Sequence, residues 1–251
     1  MSDRPPPQAH SYNEDEVIAT LTAFYKFFLT LPWPTPPTLL SPPPDGWAHI
    51  TPGNFAWLGK NATVLSLLRR LPYIRQENYD EVVVDFETYP ADYRRPYYLA
   101  PHDVARDGNP YEVPETGHGG VPFPPWVVPL TYGKNKGKYW MLDTTDGTVT
   151  NYEVTACNDA VFADDDPRAW RNACVEPGSA RPLAEVVDHL RKEYEGLVIV
   201  NLPRWGAPFI WTEGVEGFSE VQDIMRHFGW PADFDREGCR DALIAWQSQQ
   251  D

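Results

Sequence analysis

The sequence predicts an α+β fold, with a central, mostly antiparallel sheet and helices packed at its N- and C-terminal parts. Three observations predict it. Amphipathic helical periods gather near the two ends of the chain, and strand-like runs joined by turn residues fill the middle. No regular strand–helix–strand alternation and no internal repeat is visible.

Residues 1–12 are polar and Pro-rich and read as a disordered tail; residues 13–251 read as one α+β domain with Pro-rich loop insertions. Ser11 is expected to start the first helix, with Glu14 three residues on as its capping-box partner. Val17, Ile18, Leu21, Phe24, Tyr25, Phe28 and Leu29 give that helix a wide apolar stripe, and Pro32 ends it. The Pro-rich stretch from Pro32 to Pro44 reads as a rigid extended connector or, alternatively, as a polyproline ligand. Thr51-Pro52 opens a short helix that stops at Gly59, and a second runs from Asn61 to Pro72.

Glu81 to Thr88 reads as the first strand, followed by a long loop region over 89–125. Trp126 to Pro129, Lys138 to Asp143 and Thr148 to Thr155 read as further strands. The last two form a hairpin, because Asp146-Gly147 between apolar runs is a strong turn signal. After an acidic loop over 156–180 come a helix from Pro182 to Glu195 ended by Gly196, and a buried strand from Leu197 to Leu202. Phe209 to Thr212 reads as a further strand. A helix from Phe218 to Phe228 closed by Gly229, and a last one capped by Asp235, complete the chain.

Composition bounds the function. Ten Trp, thirteen Tyr and eleven Phe in 251 residues supply a sizeable core. A formal net charge of −15 repels phosphate backbones and anionic headgroups, so neither nucleic acid nor a membrane is expected as a partner. The opening residues lack the apolar core of a signal peptide, and no apolar run approaches the roughly 18 residues of a membrane helix. Three cysteines without framework spacing are expected as reduced thiols, which places the protein in the cytoplasm or the nucleus, without structural disulfide or metal.

The candidate chemistry is thin. Met141-Leu142-Asp143-Thr144-Thr145-Asp146-Gly147-Thr148 is similar to the first motif of haloacid-dehalogenase-like phosphatases, but its second Asp falls three residues on where that chemistry needs two. A hairpin turn accounts for it better. Asp164-Asp165-Asp166 lacks the alternation and the Gly of a calcium loop and reads as a solvated acidic stretch. Six histidines show no ligand spacing, although His102 and His118 fall in loops. Gly59-Lys60 and Gly133-Lys134 lack the rest of a phosphate loop, and there is no nucleophile elbow. No cofactor is expected.

The candidate binding residues are Arg168, Trp170 and Arg171, with Asp143 at the end of its strand as the fourth. The loop places a large flat side chain between two cations beside an acidic run, a composition that suits an interface anchor. Trp170 is therefore expected to be exposed; the alternative is that it pins the loop to the core.

The middle of the chain resembles a known superfamily. Trp126-Val127-Val128-Pro129-Leu130, Gly137-Lys138-Tyr139-Trp140-Met141-Leu142-Asp143 and Gly147-Thr148-Val149 are similar to the central strands of the SUKH superfamily, which includes fungal cell-wall-assembly regulators and bacterial toxin-immunity proteins. The flanks resemble a large set of fungal proteins through Gly46 to Pro52, Leu67 to Tyr73 and Phe228 to Pro231. The chain departs from the superfamily pattern in its Pro-rich insertions and in lacking the usual Leu-Pro opening helix. The resemblance implies a protein-binding α+β fold without catalytic residues, and no functional residue carries over. The expected function is that of a non-enzymatic protein-binding or regulatory protein with another protein as partner. The alternative is a small-molecule enzyme with its site in loops 89–125 and 157–180.

Overall fold

The structure, a computed structural model, describes residues 11–33, 39–75, 82–94, 123–133, 136–156, 159–203 and 209–250. It is an α+β fold whose sheets are all antiparallel.

Helix α1 (Glu14–Phe28) buries Val17, Leu21, Phe24, Tyr25 and Phe28, one stripe at three- and four-residue spacing. Its cap is Asn13, whose side chain accepts the Glu16 N–H at 3.2 Å, rather than the expected Ser11. Glu14 is unavailable as a capping-box partner because its carboxylate accepts from Ser66 and Arg70 of α2 (Ala62–Arg70). Tyr12, assigned to the tail by sequence, is half-buried against the core. The Pro-rich stretch contributes β1 (Leu39–Leu40), paired with β2 (Tyr73–Ile74) just after α2. Between them, Thr51 caps a turn that tightens into η1 (Ala56–Leu58) and stops at Gly59.

The expected strand over 81–88 lies mostly off the ladder; Glu81 falls outside the described residues. Val82, Val83 and Val84 are buried, but the Val83 and Val84 carbonyls accept side-chain donors, from Asn201 at 3.1 Å and Tyr194 at 3.0 Å. Side chains thus satisfy backbone groups that a neighbouring strand would otherwise take. The chain turns tightly at Asp85–Thr88 and only then forms β3 (Thr88–Pro90).

The central sheet runs β4 (Val127–Pro129), β6 (Tyr139–Asp143), β7 (Thr148–Tyr152), β8 (Arg181–Pro182). Between β4 and β6 in sequence, β5 (Thr131–Gly133) pairs with β3. Leu130 joins the two ladders: its N–H donates to Trp140 at 2.9 Å and its carbonyl accepts from Ala91 at 3.0 Å. The β6–β7 hairpin forms as expected, with Asp143 opposite Thr148 and Tyr139 opposite Tyr152. Its connection is the four-residue stretch Thr144-Thr145-Asp146-Gly147. The loop is closed by Gly147 N–H to the Asp143 carbonyl at 2.8 Å with Gly147 at φ 75°.

Alternation along the hairpin divides the sheet's two faces. On one lie Trp140, Leu142, Val149 and Arg181, covered by α3 (Leu183–Glu195), which packs in turn on α1. Phe24 of α1 reaches this face, its ring 6.1 Å from that of Trp140. On the other lie Tyr139, Met141, Asp143, Thr148 and Tyr152, covered by Phe123 and by η2 (Ala169–Ala173). Helix α3 ends at Glu195 with Gly196 as its cap, as expected. Gly196 stays right-handed, and Leu197 takes the left-handed position at φ 54°, with Val198 N–H bonded to the Glu193 carbonyl. Leu197 is buried there, so packing holds a conformation that glycine would take more cheaply.

Strands β9 (Ile199–Asn201) and β10 (Ile210–Thr212) form a separate antiparallel pair. Helices α4 (Phe218–His227) and α5 (Arg236–Gln247) close the chain, α5 capped by Asp235 as expected. The buried apolar side chains form one continuous cluster.

Candidate functional site

Three of the four residues singled out by sequence, Asp143, Trp170 and Arg171, are brought together, but in the interior. Arg171 and Asp143 are buried, and one guanidinium nitrogen, Nη2, binds Asp143 Oδ2 at 3.1 Å, Asp146 Oδ2 at 2.8 Å and Thr148 Oγ1 at 3.1 Å. Asp143 also accepts from the Thr145 N–H and hydroxyl, and Asp146 from those of Thr148. Burial raises the Asp146 carboxyl, but the hydrogen bonds of Thr148 and Arg171 outweigh it and leave its pKa below the ordinary value.

Trp170 is not exposed, contrary to the sequence expectation. It is 4 % accessible, stands edge-on to Phe123 and lies beside the Arg171 guanidinium. The physical reason is the turn of η2, which carries Trp170 and Arg171 inward together while Arg168 stays outside. Arg168 grips Asp166 through two hydrogen bonds and covers the Phe162 ring. Hydrogen bonds from Arg168 hold the Asp166 carboxyl down to about 2. Of the four residues, only Arg168 meets solvent.

Other candidates resolve into local roles. Lys60 donates to the Phe123 and Pro124 carbonyls instead of cradling a phosphate, and burial lowers its pKa to about 8. Cys174 and Cys239 are buried thiols pushed up to about 12 by that burial. Cys157, His102 and His118 lie outside the described residues, as does most of the 89–125 loop. Among the described residues no cluster of His, Cys, Asp or Glu is placed to hold a metal ion.

The sequence did not reveal a groove on the α3 face of the sheet. It is about 360 Å³ in volume, and its walls come from β6 and β7, α3 and the β9–β10 pair. Trp140, Leu190, Ile199 and Ile210 supply buried apolar surface. Lys138 and Asp85 pair at 2.8 Å, and His189 lies 3.7 Å from Glu193. Phe86, on the Asp85–Thr88 turn, lines it with 46 % of its surface exposed. Arg181, exposed on β8, lines it too. The groove joins residues over a hundred positions apart, which no local pattern announces.

In comparisons with family models, curated proteins and solved structures, nothing matches the chain. No described helix is long and apolar enough to cross a membrane.

Proposed function

We propose that the chain is a non-enzymatic protein-binding or regulatory protein of SUKH-like fold, working in the cytoplasm or the nucleus. The observation that carries this reading is the groove on the α3 face, with its apolar floor and the exposed Phe86 at its rim. An aromatic side chain held out on a tight turn beside an apolar recess is the arrangement by which partner surfaces anchor each other. The ionisable groups around the recess favour binding over chemistry. Lys138 is spent on Asp85, and Glu193 faces His189, so neither carboxylate stands apart as a general base. The segments that carry the superfamily resemblance fold as β4, β6 and β7 of one antiparallel sheet, and the SUKH-like part of the reading rests on their sequence.

The test is capture from native extract by the protein and by two variants. Phe86→Asp is expected to lose a captured partner at unchanged melting temperature. Ile244→Asp, at an equally exposed apolar position on α5, is expected to keep it. Turnover of a metabolite that is abolished by His102→Ala or His118→Ala would overturn the reading in favour of an enzyme.

A further inference from the structure

We infer that this groove takes an extended peptide segment carrying one large apolar side chain and, close to it in sequence, one carboxylate that pairs with Arg181. The inference rests on the protein-binding reading above and specifies the partner's chemistry.

Charge is the first argument. In a chain with 36 acidic against 21 basic residues, cations are scarce. Arg70, Arg94, Arg168, Arg171, Arg191 and Arg226 each hold a carboxylate within 3.1 Å. Arg181 is exposed at the groove and has no carboxylate partner among the described residues. A planar fork of donors left open beside an apolar recess matches a carboxylate. The overall charge of −15 sets the opposite limit, because a run of acids would be repelled. Lys138 is paired with Asp85 and Glu193 also lines the groove, which leaves Arg181 as the unpaired cation among the described lining residues, so the fit is one carboxylate rather than an acidic tract.

The floor supplies the second argument. Asn151 sits opposite Trp140 in the hairpin register and lines the groove, and its buried Oδ1 has no donor. That oxygen is closed off from the groove, so the floor receives a ligand through its apolar surface. Beside it the Trp140, Leu190 and Ile210 surfaces offer an apolar side chain its place.

Shape is the third. Trp140, Asn151 and Arg181 lie on the adjacent strands β6, β7 and β8, and Lys138, at the start of β6, bonds the Asp85–Thr88 turn that carries Phe86. At about 4.8 Å between strands, the path from β6 to β8 is roughly 10 Å, about three residues of extended chain. The groove lining therefore extends from the Phe86 turn at the start of β6 to Arg181 on β8. That layout suits a short peptide better than a compact metabolite, whose polar groups would need convergent partners.

The experiment selects from a phage-displayed library of random twelve-residue peptides on the full chain, then measures the enriched peptides by fluorescence polarisation. Enrichment of sequences with one Asp or Glu within three residues of a large apolar residue is expected. Arg181→Glu should weaken these at least tenfold with unchanged melting. Exchanging the peptide's acid for Lys should restore binding to Arg181→Glu, a reversal that simple misfolding cannot produce. Peptides that bind here, weakened by Phe86→Asp but indifferent to Arg181→Glu, would overturn the carboxylate and leave the protein-binding reading standing. Enriched peptides insensitive to both variants would overturn the groove as the docking place.

Discussion

Arg171 and Asp143, 28 residues apart, form an ion pair at 3.1 Å in which both side chains are almost fully buried. The pair fastens η2 to the end of β6 and draws Asp146 into the same contact, so the hairpin loop and the loop over 160–175 are one unit. Breaking a buried pair by deleting one partner strands the other charge, whereas replacing both with apolar groups removes the desolvation cost too. Arg171→Met alone is expected to lower stability by about 3–5 kcal/mol. Arg171→Met combined with Asp143→Leu should recover part of that loss, as read from urea midpoints. A single variant as stable as the parent would show that the pair carries no such charge cost.

The same cluster sets an acid limb. Asp146 has its folded-state pKa below the ordinary 3.8, so its contribution is complete above that value and disappears as pH falls through the lower, folded value. Stability is expected to hold from neutrality to about pH 5 for this group and to fall below pH 4. Asp146→Asn should be less stable at pH 7 and should lose part of that acid dependence. An acid limb of unchanged slope in Asp146→Asn would sink the assignment.

Gly147 sits at φ 75° with the Tyr12 backbone close by, 3.3 Å from where a Cβ would stand. Gly147→Val places a β-branched side chain in the left-handed region, costing about 1–2 kcal/mol, and presses it on Tyr12. A lower denaturation midpoint is expected, and an unchanged one would contradict the loop geometry.

Much of this fold was legible because its signals are local. The stripe of α1, the Asn61 start of α2, the Asp235 cap of α5 and the β6–β7 hairpin each follow from a few consecutive residues. What sequence reading missed depends on distant partners. Val82–Val84 looks like a strand, yet its carbonyls are taken by Tyr194 and Asn201. The two-residue β8 exists only because β7 lies beside it. Leu197 rather than Gly196 takes the left-handed position after α3, because burial of Leu197 outweighs its backbone preference. The groove was invisible for the same reason, since Phe86, Trp140, Arg181 and Ile210 share no pattern until the chain folds.

The buried thiols give an independent reading of the interior. Cys174 and Cys239 are held up to about 12, so both stay protonated at pH 8 and shielded from reagent. Alkylation of these two by iodoacetamide at pH 8 is expected only as urea unfolds the chain, tracked by peptide mass mapping. Rapid modification in native buffer would mean that the packing around η2 or α5 opens readily.

Trp170 and Arg168 separate the two readings of the loop they share. Trp170 is buried against Phe123 and beside Arg171, so truncation removes a large packed side chain and loosens the surroundings of a buried charge. Trp170→Ala is expected to cost about 3–5 kcal/mol, seen as a clear drop in melting temperature. Arg168 is exposed, and its bond to Asp166 is screened by solvent, so Arg168→Ala should leave melting unchanged. A captured partner lost with Arg168→Ala would return the loop to the interaction surface, through its one solvent-facing cation. Loss with Trp170→Ala only at temperatures where that variant has begun to unfold would instead mark Trp170 as a pin. If Trp170→Ala melts like the parent, the packing of η2 on the sheet is not what holds this face together.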